Sequence, residues 1–261
     1  DVPLAALGLS QRGAVSALRL RISCEGAQHL GHLTFDRLAF FLSGPDIEAL
    51  RLLELILAHQ VGVVCQTTGR DPLRFSLSEE AIQQEGFAAN QALLPEDLRN
   101  FDGYRLLHEY FAFPARFRFI SINGLSKLIG QCKEEKSFDI IILLDKTDDR
   151  LEQVVEANHF ALHCTPVINL FPKIAARQSL SDSQHEYHLV VDNIRPLDYE
   201  IYSVSKIHGS ADGHRDDREF RPFWSSWSKD AGDYGAYFSL RREQHTTFGG
   251  MSSWMSRRGY S

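Results

Sequence analysis

Between Phe138 and Asp145 the chain reads FDIIILLD, with five aliphatic residues in a row from Ile140 to Leu144. Successive side chains of a strand point to opposite faces, so an unbroken aliphatic run leaves no side for solvent. This segment predicts a strand covered on both faces. Elsewhere the pattern is half-buried. Leu18, Leu20 and Ile22 face one way, and Arg19 and Arg21 the other, as in a strand with one wet face. Leu38, Phe40 and Leu42 share one parity while Leu33 and Phe35 have the other. A bulge or a change of side is therefore expected near Asp36-Arg37. Phe117 and Phe119 alternate with Arg116 and Arg118 before Ile120 and Ile122 switch parity, which again implies a bulge. Val61 to Cys65, Thr165 to Phe171, Glu186 to Val191, Tyr199 to Ile207 and Tyr234 to Leu240 read as further strands.

Helical spacing is rarer. Asp46 to Gln60 carries Leu50, Leu53, Ile56 and Leu57 at helical intervals, with Asp46 and Glu48 in the first turn, where the helix dipole favours them. A short helix is expected from an N-cap at Ser78 to a stop at Gly86, and another over Leu151 to Ala157. Gly103 to Phe113, GYRLLHEYFAF, places Tyr104, Leu107, His108 and Phe111 on one side and Leu106, Tyr110 and Phe113 on a second, and Pro114 stops it. A helix greasy on two sides belongs in a core or between surfaces. Tyr104, Leu107, Tyr110, Phe111 and Phe113 are accordingly expected in the structural core.

Eight to ten strands and two to four short helices that do not alternate regularly disfavour a doubly wound parallel sheet. The expected class is α+β, mainly β, with antiparallel sheets in a sandwich-like arrangement and a few inserted short helices. Two mainly-β subdomains are expected, residues 1–115 with helix 46–60 and residues 116–261, a division compatible with a length of 261 residues.

Charge and motif content narrow the function. There are 28 basic against 34 acidic residues, a net charge of -6, which disfavours a nucleic-acid partner. No apolar run approaches the roughly 18 residues a membrane span needs, so direct insertion is not expected. Cys24, Cys65, Cys132 and Cys164 are scattered, without a C-x-x-C pair. They read as reduced, mostly buried thiols of a cytoplasmic protein. The phosphate-binding, dinucleotide and nucleophile-elbow motifs are missing, so no cofactor is expected.

Three constellations could carry chemistry. His208, Asp212, His214, Asp216 and Asp217 lie within ten positions, but in a polar loop without the rigid support that a metal site needs. His159 and His163 have helical spacing without the glutamate of H-E-x-x-H. Glu109 sits in the greasiest helix, where it is either a general acid of raised pKa or the partner of Arg105, Arg116 or Arg118. The bland reading is the stronger one in each case. No catalytic or metal-ligating residue is assigned, and an enzyme is not expected. Phe223, Trp224 and Trp227 are candidates for a protein interface, where Trp is enriched.

One family shares this run of motifs. Phe101 to Phe117, FDGYRLLHEYFAFPARF, resembles the signature of TssF (ImpG/VasA), a baseplate subunit of the bacterial type VI secretion system. Ala92-Leu93-Leu94-Pro95 precedes it, as in that family. Asn158-His159-Phe160, Cys164 to Phe171, Glu186 to Asp192, Arg195-Pro196, Glu200 to Val204 and Arg221-Pro222-Phe223 come after it in the family's order. Val191 stands where a proline is expected, and the tail after Gly249 does not align. The resemblance covers about positions 15–245 and implies a structural, non-catalytic role. Such subunits assemble with TssG into phage-tail-like wedges around the VgrG spike, engage TssK, and with TssE and other TssF copies support the contractile sheath. Family members are longer at both ends, so a central portion of one is expected, cytoplasmic and docked to the membrane complex through other subunits. A carbohydrate-binding or carbohydrate-processing β-sandwich is the alternative, with Trp224 and Trp227 as a stacking platform and Glu109 as the acid. A weaker one is a metal-dependent enzyme built on the His208 to Asp217 loop.

Overall fold

A computed structural model describes residues 13–26, 29–69, 71–95, 101–132, 134–210, 218–223, 236–242 and 258–259. The chain divides into two compact units, Asp1–Ile168 and Asn169–Ser261.

Among its described residues the first unit holds eight strands: β1 (Ser16–Ser23), β2 (Arg37–Leu42), β3 (Gln60–Thr67), β4 (Arg74–Ser76), β5 (Ile82–Gln84), β6 (Phe119–Asn123), β7 (Ser137–Leu144) and β8 (Phe160–Ala161). They form two antiparallel sheets, ordered β1-β7-β3-β4 and β5-β6-β2-β8. Four α-helices accompany them: α1 (Asp46–Ala58), α2 (Asp102–Ala112), α3 (Ser126–Ile129) and α4 (Asp149–Val154). The class is α+β with antiparallel sheets, as the segment pattern predicts.

The aliphatic run fills β7, the second strand of its sheet. Ile140 and Ile142 enter the main core, while Ile141 and Leu143 form a smaller cluster with Val64 on the other face. All five aliphatics of the run are buried. The main core draws side chains from both sheets: Leu20, Val63, Cys65, Phe138, Ile140 and Ile142 from one, Phe40, Leu42, Ile120 and Ile122 from the other. This accounts for the alternation in β1: Leu20 pairs with Ile140 on the core side, and Arg21 pairs with Asp139 on the other. Asp139 is buried there and takes a two-pronged hydrogen bond from the Arg21 guanidinium, at 2.7 and 3.0 Å. That bond holds the Asp139 carboxyl below the usual carboxylate range.

Several expectations need correction. The sheets cross the predicted boundary at 115/116, because β1 pairs with β7 and β2 with β6. The division falls at 168/169 instead. Helix α1 ends at Ala58, two residues early, since Gln60 is already paired with Leu144. It buries Ala49, Leu52, Leu53 and Ile56, leaving Leu50 and Leu57 exposed. No helix starts at Ser78; a turn closes from the Ala81 N–H to the Ser78 carbonyl, and β5 then pairs with β6. The parity change after Arg118 is not a bulge. Pro114–Arg118 is a 3-10 helix, and the strand begins at Phe119. Likewise β2 begins at Arg37, so the change at Asp36-Arg37 marks a strand end.

The second unit is less regular. Its strands are β9 (Glu186–Tyr187), β10 (Ile207–Gly209), β11 (Arg218–Pro222), β12 (Tyr237–Phe238) and β13 (Arg258–Gly259). β10, β11 and β12 form one small sheet, with β11 and β12 parallel, and β13 pairs with β9. The predicted strand at 165–171 is absent, those at 186–191 and 199–207 shrink to these short pieces, and of the one at 234–240 the described part, 236–240, keeps only β12. Side-chain contacts hold the extended chain instead. The Lys173 ammonium lies 3.1 Å from Asp192 and 3.8 Å from the centre of the Tyr199 ring.

Candidate protein interface on helix α2

Helix α2 and the bend behind it are built by the most aromatic stretch of the chain. The Tyr104 N–H donates to the Phe101 carbonyl at the start, the Phe113 N–H to the Glu109 carbonyl at the end, and Pro114 opens the 3-10 turn beyond it. The surprise is the direction in which the helix faces. Tyr104, Leu107, Tyr110, Phe111 and Phe113, all expected in the core, are exposed, from 39% at Phe113 to 80% at Phe111. Phe101 joins them, with its ring 5.9 Å from that of Tyr104. Tyr110 lies 5.5 Å from Phe111 and 5.8 Å from the buried Phe117, which in turn is 5.2 Å from Phe87. The rings thus fall into two groups, Phe101 with Tyr104 and Tyr110 with Phe111, Phe117 and Phe87.

The inner side of α2 is polar. Glu109 is buried at 2%, and the Arg105 side chain is 7% exposed. One Glu109 oxygen accepts from the Arg105 guanidinium at 3.3 Å and from the Leu93 and Leu94 N–H groups at 3.0 and 3.2 Å. Of the two readings of Glu109, the geometry takes the ion pair. Arg116 lies buried nearby and donates to the Gln91 carbonyl at 3.0 Å. Burial pulls its guanidinium below the ordinary value, with Glu109 and Glu85 opposing. Gln91 ties this layer to the sheet: its amide donates to Glu85, which pairs with Arg37 of β2 at 2.5 Å. A network of charged groups therefore takes the place that the apolar face of a surface helix normally occupies.

This inversion has an energetic reading. Desolvating an Arg–Glu pair offsets much of its own attraction, so the network positions α2 more than it stabilises it. The six outward side chains leave roughly 700 Å² of mostly apolar surface in water, taking about 200 Å² for a whole aromatic side chain. The sequence signal for this was present: Arg105 and Glu109 share one helix side four positions apart. The weight of the aromatic residues hid it.

The other candidate residues are dispersed. Phe223 is 65% exposed in the second unit. Trp224 and Trp227 lie outside the described residues, as do Asp212, His214, Asp216 and Asp217. Among the described residues no group of three or more His, Cys, Asp or Glu could hold a metal ion, and no helix is long and apolar enough to cross a membrane. A cavity of about 580 Å³ lies elsewhere, lined by Gly44, Glu48, Glu156 and His159 among others. Its ionisable groups serve local structure. The His159 Nδ1 accepts from the Glu156 N–H at 3.1 Å, Glu156 caps the short helix that ends at His159, and Glu48 lies 3.7 Å from Arg150. Glu109 is not part of it.

Comparison with known proteins supplies the context for this surface. The family model for the type VI secretion system protein TssF matches residues 2–255. A curated protein of Pseudomonas aeruginosa, type VI secretion system component TssF1, is 36% identical over 259 residues, covering 98% of this chain and 40% of its own length. The chain thus spans about 40% of the length of that relative. A chain in the cryo-electron microscopy structure of a TssK-TssF-TssG baseplate subcomplex has the same fold. Its TM-score is 0.67 at 24% identity, over 94% of this chain and 47% of the other. With the family model matched over almost the whole chain, the protein belongs to the TssF family of the type VI secretion system.

Proposed function

We propose that this chain is part of a structural, non-catalytic baseplate subunit of the type VI secretion system, assembling with TssG into a wedge that supports the sheath around the VgrG spike. The observation that carries the reading is the family match over residues 2–255. It is supported by the likeness in fold to a chain taken from a TssK-TssF-TssG baseplate subcomplex, and by the exposed apolar side chains of α2. TssG and TssK are the nearest partners on this reading. TssE, VgrG and further TssF copies are more distant ones. The subunit works in the cytoplasm and reaches the membrane complex through its neighbours. Its contribution is shape and contact area, since the buried carboxylates of the first unit are tied to arginines and backbone N–H groups.

Co-expression of the full-length protein with TssG and TssK, followed by size-exclusion chromatography, tests this. Co-elution of the three is the expected result. Elution of the full-length protein by itself, with TssG and TssK absent from its fractions, would refute the reading.

A further inference from the structure

We draw no further inference here: the strongest candidate, the outward apolar face of α2 in the first unit, carries nothing, because nothing in the structure shows whether another subunit or a further part of the same one covers it.

Discussion

Glu109 shows how much a single side chain can organise. It is the acceptor for two backbone N–H groups and for Arg105, so it links α2 to the segment before it. Glu109→Ala should destabilise the fold by about 3 kcal/mol, because removing one member of a buried pair leaves groups unsatisfied. Urea unfolding measures this, and Glu109→Gln, which keeps an acceptor, should lose less. Asp139 makes a pH-dependent contribution. Its folded-state pKa is depressed, chiefly by the hydrogen bond from Arg21. The stabilisation is therefore present above the unfolded carboxylate value near 4 and is lost as pH falls through the folded value. Arg21→Ala should lower the urea midpoint at pH 7, and the gap to wild type should narrow toward pH 3. The thiols differ as well. Burial pushes Cys65 up to about 12, while Cys164 is exposed. An aromatic disulfide reagent at pH 8 should modify Cys164 first and leave Cys65 until the protein unfolds, since the thiolate is the reactive form.

At the scale of elements, helix faces were harder to read than strand faces. In β1 and β7 each side chain has two choices of side, and alternation decides between them. In α1 the apolar residues run almost around the helix, with Leu50, Leu52, Leu53, Leu55, Ile56 and Leu57 in succession. Spacing alone does not say which arc meets the sheets. The buried arc is that of Ala49, Leu52, Leu53 and Ile56. Leu52→Ala should therefore cost about 2–4 kcal/mol, whereas Leu50→Ala should stay within about 0.5–1 kcal/mol. Thermal unfolding of the two variants separates them, and the opposite ranking would contradict this arc. In α2 the same ambiguity had the opposite outcome, because the aromatic arc faces water and the ion pair faces in. The parity change before Ile120 was visible in the sequence. Its cause was not, since a 3-10 turn and a bulge shift the side-chain register alike.

For the whole molecule, the two units differ in how much of their structure is closed within themselves. Both four-stranded sheets and the main core lie within residues 1–168. A fragment of those residues should unfold cooperatively by circular dichroism, and a broad, non-cooperative melt would contradict that. The second unit relies on short ladders and leaves Ile174, Leu180, Ile194 and Leu197 largely exposed. Its β-rich segments read as strands in the sequence because β-branched residues mark surfaces suited to pleated packing. A ladder also needs a neighbouring strand, which the composition of one segment cannot specify.

Local chemistry, and so the sequence alone, determined the doubly covered strand at 140–144, the alternation in β1, the end of α2 at Pro114, and the α+β class. The order of the aromatic motifs carried the family. Only the tertiary structure decided the division at 168/169 and the outward direction of α2. Both depend on contacts between residues far apart in the chain. The side a helix turns to the core is set by what it meets there, and here the inner side of α2 meets the 93–94 backbone through the buried Glu109.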